Sequence, residues 1–315
     1  MTELEVVTMG RVSVDLYPEQ IGVPLAEVKT FAKSLGGSAT NVAVAAARLG
    51  HPSAVITKVG DDGFGSYVRE ALGGFGVDAR WVGTDPDLRT PLVFCEIHPP
   101  DDFPLLFYRE PKAPDMNLTP DDLDLDAVAA APLFWMTGTG LSDEPSRTAT
   151  LEALEQRSGG ITVFDLDYRP VLWRSEDEAG RIYREALHSA TVAVGNQEEV
   201  EVAVGTRDPW EASAALLELG LEFAVVKRGP EGVLARTAEG VVDVPPIRVE
   251  ILNGLGAGDA FGGALCHGLL SGWDPERTLG YANAAGAIVA SRLACADDMP
   301  TRGEVEQLLE RSAGV

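Results

Sequence analysis

The chain has 315 residues, and its 49 acidic residues outnumber its 25 lysines and arginines, giving a net charge of −24. This charge argues against a nucleic-acid-binding protein, which needs a basic surface, and it requires that any anionic ligand be held by local donors. No apolar run has the length of a membrane span, and the three cysteines have no paired spacing. We therefore expect a cytoplasmic protein with free thiols, without a disulfide framework or a zinc site.

Short apolar runs rich in β-branched residues alternate with segments of helical periodicity along most of the chain. The runs predict strands at 4–9, 53–59, 133–138, 161–166, 191–196 and 223–228. The segments between them predict helices at 40–49, 64–73, 144–157, 176–188 and 208–219. Apolar strands that alternate with helices are typical of a parallel sheet covered on both faces. The sequence therefore predicts an α/β fold.

Two stretches interrupt this alternation. Residues 12–35 follow the first predicted strand without a clear crossover helix, and residues 90–114 have strand character on both sides of "HPPDD", which suits a hairpin turn. Such strands inserted into an α/β core favour a small sheet that projects as a lid and excludes water from reactive chemistry. The alternative is an ordinary surface hairpin. We expect a single domain over residues 1–315, with the lid formed by about 12–35 and 89–114.

The stretch "NGLGAGD" at 253–259 precedes renewed helical periodicity, so it predicts a glycine-rich loop that enters a helix. The first turn of a helix carries unpaired N–H groups, and Gly256 and Gly258 would let an anion such as phosphate approach them. Asp259 lies in that turn, where its carboxylate could accept a proton from an attacking hydroxyl. The alternative is that Asp259 only caps the helix.

Other phosphate-binding motifs do not fit the chain. No G-x-x-x-x-G-K-[ST] motif occurs, and "GTGLSD" at 138–143 has Asp143 where a dinucleotide-binding fingerprint needs its third glycine. A second glycine pair, in "LGGSATN" at 35–41, also opens a predicted helix, and the amide of Asn41 could both donate to and accept from hydroxyls. Alone, this pair is equally consistent with tight helix packing.

Taken together, "GGSATN" at 36–41 and "GAGDAF" at 256–261 resemble the two signature motifs of the ribokinase-like (phosphofructokinase-B type) carbohydrate kinases. The resemblance covers essentially the whole chain. It implies a three-layer α/β/α core with a mostly parallel sheet and a small β-sheet lid. It also implies ATP and Mg²⁺ as cofactors, no membrane partner, and a homodimer formed through the lid strands.

The resemblance assigns roles around the transferred phosphoryl group and the sugar. Asp259 would be the catalytic base, and the backbone of Gly256, Ala257 and Gly258 would form an anion hole. The sugar hydroxyls would be held by four residues near the first strand and the first glycine pair: Asp15, Gly36, Gly37 and Asn41.

Further motifs resemble the nucleotide side of the family. "NQEE" at 196–199 would place Asn196 near the ATP phosphates and Glu199 near Mg²⁺, through water, although Glu199 could also be a solvated acid at a helix start. "KRGPEG" at 227–232 implies that Lys227, Gly229 and Gly232 surround the phosphates and ribose. "YANAAGA" at 281–287 would place Asn283 beside the adenine, unless its small residues serve only helix packing.

Two motifs depart from the family pattern. "DLDYR" at 165–169 keeps Arg169, which could stabilise phosphate or substrate, but has Asp167 where the family commonly has asparagine, and this leaves the role of that position open. Asn253 and Gly254 replace the acid and the threonine that often precede the glycines. This replacement puts a monovalent-cation (K⁺) site in doubt.

The substrate is inferred from the first strand and the lid, which resemble those of family members that phosphorylate a sugar acid. The expected reaction is phosphorylation of the terminal hydroxyl of 5-dehydro-2-deoxygluconate in inositol breakdown. Arg109 and Lys112, in "FYREPK", could bind the substrate carboxylate, or they could be solvated lid charges. The alternatives are a 2-keto-3-deoxygluconate kinase, then a fructokinase or ribokinase, and, in a different class, a non-catalytic sugar or nucleotide sensor.

Overall fold

The computed structural model describes residues 3–313, in which strands and helices alternate as the sequence periodicity predicts. The strands are β1 (Val6–Met9), β2 (Ser13–Pro18), β3 (Phe31–Gly36), β4 (Ser53–Gly60), β5 (Val77–Asp78), β6 (Val82–Asp85), β7 (Leu92–Cys95), β8 (Leu105–Tyr108), β9 (Leu133–Thr137), β10 (Ile161–Asp165), β11 (Val192–Asn196), β12 (Phe223–Lys227), β13 (Val233–Thr237) and β14 (Gly240–Val244). The helices are α1 (Ser38–Arg48), α2 (Gly63–Gly74), α3 (Leu125–Ala130), α4 (Ser146–Glu155), α5 (Glu176–Leu187), α6 (Gln197–Val204), α7 (Pro209–Glu218), α8 (Ala257–Leu270), α9 (Pro275–Ala290) and α10 (Arg302–Ala313).

The main sheet runs in the order β14-β13-β12-β11-β10-β9-β1-β4-β5, with β6 pairing to β4. All its pairs from β12 to β5 are parallel, whereas β13 and β14 add an antiparallel edge. The predicted mostly parallel sheet is therefore confirmed. The antiparallel edge, the short helix α3 and the last helix α10 are not among the elements that the sequence pattern predicts.

The core lies on both faces of this sheet, because successive residues of a strand point to opposite sides. On β1, Val6 packs into one apolar cluster and Val7 into the other, and Trp135 and Phe134 of β9 divide in the same way. Helices α1, α8 and α9 cover the first face, and α4, α5 and α7 cover the second. Burial of each large side chain contributes about 1.5–3 kcal/mol, so this two-sided core stabilises the three-layer arrangement.

The second sheet, formed by β3, β2, β7 and β8 in that order, is separate from the main sheet. Strands β2 and β7 pair in parallel, while β2–β3 and β7–β8 are antiparallel. The hairpin expected in residues 90–114 is β7–β8, and His98 and Asp102 bridge its turn. Within residues 3–313, no helix is both long enough and apolar enough to span a membrane.

Candidate active site

A cavity lies where the carboxyl ends of the main-sheet strands meet the second sheet. The last residues of the neighbouring strands β10, β11 and β12 are Asp165, Asn196 and Lys227, and all three line this cavity. Val93 and Phe107 of the second sheet line it as well. The carboxyl edge of a parallel sheet is where ligands bind in open α/β folds, because the loops that follow the strands converge there.

Asp259 lies in the first turn of α8 and faces the cavity. Its Oδ2 accepts a hydrogen bond from Nδ2 of Asn41, at 2.7 Å. Asp259 is the third residue of α8, after the N-cap Gly256, and within residues 3–313 its carboxylate accepts no hydrogen bond from a backbone N–H, so the geometry does not support Asp259 as a simple cap. Burial raises the pKa of Asp259 to about 6, although the hydrogen bond from Asn41 opposes the rise. Asp259 can therefore change between acid and base close to neutral pH.

The loop before α8 presents its backbone to the same cavity. Gly256 has the left-handed backbone torsion φ 79°, and a β-carbon there would lie 2.5 Å from Sγ of Cys295, so glycine is required. Beyond it, the N–H groups of the first turn of α8 have no intrahelical partner. Nζ of Lys227 lies 3.5 Å from the position of a β-carbon on Gly258. The helix N–H groups and the ammonium group of Lys227 therefore lie close together, and both can donate hydrogen bonds to a transferring phosphate.

Asp15 and the first glycine pair form another wall of the cavity. Oδ1 of Asp15 accepts a hydrogen bond from Oγ of Ser13, at 2.6 Å, and burial raises the pKa of the Asp15 carboxyl. A β-carbon on Gly36 would overlap the Asp15 carboxylate, so Gly36 provides the space that this side chain occupies. Oδ1 of Asn41 is buried without a hydrogen-bond partner among residues 3–313. A buried amide oxygen of this kind is available for a ligand hydroxyl.

Asp167, whose role the sequence left open, is held by four side chains. Its carboxylate lies 2.8 Å from a terminal nitrogen of Arg169 and 3.4 Å from Nε of Arg11, and it accepts hydrogen bonds from Ser38 (2.6 Å) and Thr139 (3.2 Å). Burial raises the pKa of Asp167, but the two guanidinium groups and the two hydroxyls outweigh it and bring the pKa to about 2. Asp167 thus remains ionised and positions two arginines instead of accepting a proton.

The "NQEE" motif forms a capping box at the start of α6. Oδ1 of Asn196 accepts from the N–H of Glu199, at 2.9 Å, and Oε2 of Glu199 accepts from the N–H of Asn196, at 2.7 Å. Glu199 is only 4% exposed, so the alternative of a solvated helix-start acid is wrong. Both residues line the cavity.

Lys227 faces several carboxylates across the cavity. Burial lowers the pKa of Lys227, but Asp165, Glu199 and Asp259 more than offset this, and the net pKa is raised. Burial raises the pKa of Asp165 well above its usual value, and Lys227 only partly opposes that rise. Within residues 3–313 no group of three or more metal-binding side chains is preassembled. The carboxylates present fit Mg²⁺, which commonly binds one or two carboxylates together with substrate phosphates and water.

Seven predicted residues do not line the cavity, and five of them have no adjacent residue that does: Arg109, Lys112, Gly229, Gly232 and Asn283. Arg109 is buried and pairs with Asp115, and Lys112 binds the backbone carbonyl of Glu144. The two glycines lie in the turn after β12, and Nδ2 of Asn283 donates to the carbonyl of Pro245, at 3.1 Å. Gly36 and Ala257 do not line the cavity themselves, but the adjacent residues Gly37 and Gly256 do.

The cavity is also lined by residues to which no sequence motif assigned a role. Arg11, Ser38, Asp165 and Cys295 line the cavity. Asp165 ends β10, and Arg11 follows β1 by two residues, so their positions at strand carboxyl ends were a usable signal. The contribution of Cys295 comes from a distant loop and had no comparable signal.

Asn253, which replaces the acid of the family motif, is fully buried. Its Nδ2 donates to the carbonyl of Leu293, at 2.7 Å, and its Oδ1 accepts from the N–H of Leu255, at 3.0 Å. The amide therefore joins the glycine loop to the segment after α9. A carbonyl that already accepts a hydrogen bond is less available to a cation.

The chain is similar to known proteins over nearly all of its length. The sequence profile of the pfkB family carbohydrate kinases matches residues 3–302. A 5-dehydro-2-deoxygluconokinase of Geobacillus kaustophilus is 35% identical over 98% of this chain and 94% of its own length, and one of Bacillus subtilis is 33% identical over 97% and 96%. The crystal structure of an E. coli protein assigned as ribokinase II, in complex with ATP and Mg²⁺, is 26% identical with a TM-score of 0.89, over 98% of this chain and 99% of that one.

Proposed function

The chain belongs to the pfkB family of carbohydrate kinases, and we propose that it transfers the γ-phosphoryl group of ATP to the terminal hydroxyl of 5-dehydro-2-deoxygluconate. The observation that carries the proposal is the position of Asp259, a carboxylate with a pKa of about 6 at the N–H end of α8, in a cavity bordered by the second sheet. The names of the relatives from Geobacillus kaustophilus and Bacillus subtilis support this choice of substrate.

In the proposed mechanism Asp259 accepts the proton of the attacking hydroxyl. With a pKa of about 6, it is mostly ionised above that pH and can act as a base, while the hydrogen bond from Asn41 orients it. The N–H groups at Gly256–Gly258, together with Lys227, would stabilise the negative charge on the transferring phosphoryl group. Asp15 and the free amide oxygen of Asn41 would bind sugar hydroxyls.

We propose that Glu199, through water, and Asp165 hold Mg²⁺ beside the nucleotide phosphates, with Asn196 close to those phosphates. When bound, Mg²⁺ neutralises phosphate charge during transfer. Gly229, Gly232 and Asn283 would contact the ribose and adenine from the turn after β12 and from α9. The hydrogen bonds of Asn253 support activity that does not require K⁺.

The test is ADP release by the purified protein with Mg-ATP, comparing 5-dehydro-2-deoxygluconate with 2-keto-3-deoxygluconate and with fructose. We expect the highest kcat/KM for the first, with similar rates in sodium and potassium buffers. A preference for the second would keep the mechanism and change the substrate. No ADP release with any sugar would contradict a kinase and favour a non-catalytic sensor.

We further propose that two copies of the chain associate through the outer face of the second sheet. The rings of Phe31, Phe94 and Tyr108 stack edge to face on this sheet, with centroids 5.3 and 5.4 Å apart. Tyr108 is 57% exposed and Leu106 46% exposed, so covering them would remove apolar surface from water. Sedimentation velocity should give a dimer that Leu106→Glu converts to a monomer.

We also propose a cytoplasmic location. Cys95, Cys266 and Cys295 are all buried and unpaired. Free thiols are typical of proteins in a reducing compartment. Fractionation of the source cells with an antibody against the protein would test this location.

A further inference from the structure

A sugar acid brings a negative charge into a cavity that is already acidic. The cavity is lined by five carboxylates, Asp15, Asp165, Asp167, Glu199 and Asp259. A substrate carboxylate needs a cation that these acids do not already occupy. Arg109 and Lys112, which the sequence suggested, do not line the cavity. The cations that do are Arg11, Arg169 and Lys227.

Two of these three cations have other partners or face another part of the cavity. Nζ of Lys227 lies against Gly258, where phosphate is expected. Arg169 uses one terminal nitrogen on Asp167, at 2.8 Å, and the other on the carbonyl of Tyr168, at 3.3 Å. Neither is therefore free to form a two-pronged contact with a second carboxylate.

Arg11 differs because only its Nε is engaged, 3.4 Å from Oδ2 of Asp167. Within residues 3–313, no acceptor forms a hydrogen bond with the terminal nitrogens of Arg11, which is 8% exposed and lines the cavity. A guanidinium group with free terminal N–H groups can bind a carboxylate through two parallel hydrogen bonds.

The backbone beside Arg11 is fixed from two sides. The N–H of Val12 donates to Oδ2 of Asp115, at 2.9 Å, and Arg109 donates to the carbonyl of Val12, at 3.4 Å, while also pairing with Asp115. On the other side, a β-carbon on Gly37 would overlap the carbonyl of Arg11. Arg109 therefore supports the segment that carries Arg11, and a held backbone reduces the entropy lost when the side chain binds.

The positive charge of Arg11 acts on the two carboxylates that are expected to lie beside the sugar, Asp15 and Asp259. It opposes the rise in pKa that burial causes at Asp15 and at Asp259. Arg11 is thus close to the residue expected to hold sugar hydroxyls and to the expected base.

We infer that Arg11 is the specificity-determining residue that binds the carboxylate of the sugar acid, with Arg109 and Asp115 as its positioning residues. The inference rests on the proposed function. The free terminal nitrogens of the Arg11 guanidinium group, beside Asp167 and Gly37, would make the enzyme prefer an acid over a neutral sugar.

The test compares two substrates that differ only at the group that Arg11 would bind, 5-dehydro-2-deoxygluconate and its uncharged primary amide. For each enzyme we would measure the ratio of kcat/KM for the acid to kcat/KM for the amide. Arg11→Met should lower this ratio by about 10- to 100-fold, because a charge-assisted hydrogen bond is lost. Arg11→Lys keeps the charge without the fork and should give an intermediate ratio, mainly through a higher KM. Arg80→Met, which removes an exposed arginine paired with Asp78, is the matched control and should leave the ratio unchanged.

The outcomes separate the inference from the proposed function. If the wild type releases no ADP with any sugar acid, the proposed function fails. If the wild type prefers the acid but Arg11→Met lowers kcat/KM for acid and amide equally, Arg11 only supports Asp167 and the inference is wrong. Should Arg11→Met fail to fold, the ratio for Arg11→Lys decides, and a value equal to that of the wild type contradicts the inference.

Discussion

Asp167 and Asp259 line the same cavity, yet their surroundings act on them in opposite directions. Asp167 contacts two arginines and two hydroxyls, and its pKa is held at about 2. Asp259 receives one hydrogen bond from a neutral amide, and burial raises its pKa to about 6. The number and charge of the partners, and not depth in the cavity, therefore separate a carboxylate that positions its neighbours from one that can exchange a proton.

The largest expected effect is on turnover. Asp259→Asn should lower kcat by about 10²- to 10⁴-fold, because the amide cannot accept the proton but can still accept the hydrogen bond from Asn41. Asp167→Asn should lower kcat by only about 10-fold, through less well-held arginines. Steady-state ADP release at saturating substrate measures both. Equal losses in the two variants would contradict the division of roles.

The two substitutions should change stability in opposite directions. At pH 8, Asp167→Asn should lower the free energy of unfolding by about 3 kcal/mol, because it leaves two partly buried arginines less compensated. Asp259→Asn should raise it by about 1–3 kcal/mol, because it removes a desolvated charge. Urea unfolding followed by circular dichroism tests both signs.

The pH dependence of stability provides the control for that experiment. The folded-state pKa of Asp259, about 6, is above its ordinary value of 3.8, so its contribution to stability is present below about pH 4 and is lost as the pH rises through about 6. The folded-state pKa of Asp167, about 2, is below 3.8, so its contribution is present above about pH 4 and is lost as the pH falls through about 2. The gain from Asp259→Asn should accordingly shrink towards pH 4.

The smallest effect is a shift in the pH profile of kcat/KM. In the wild type the acidic limb should have its midpoint near pH 6, where Asp259 ionises. Asn41→Ala should move it upwards, because the hydrogen bond to the ionised form is lost, and Asp167→Asn should move it downwards, because a neighbouring negative charge is removed. Shifts in the same direction would show that the limb does not report Asp259.

The local pattern of apolar residues was sufficient to predict much of the fold. Each strand predicted at 4–9, 53–59, 133–138, 161–166, 191–196 and 223–228 exists in the structure, because a buried parallel strand is a continuous apolar run. The antiparallel edge was missed because the apolar run of β13 covers only Val233–Ala235 and because β14 is mostly exposed or half-buried.

The sequence was sufficient to identify several groups that could do chemistry here: the glycine loop that begins α8 with Asp259 in its first turn, the "NQEE" motif with Asn196 and Glu199, and Lys227 at a strand end. Each is a motif of neighbouring residues, so it is visible in the sequence, and the last two were assigned through their resemblance to the family. Tertiary structure alone decided which charges are free. Arg11 and Asp167 are 156 residues apart in the chain. Arg109 has no evident partner in the sequence, but in the folded protein it pairs with Asp115. A charge is available to a ligand only if no distant side chain neutralises it, and that depends on how the folded elements pack.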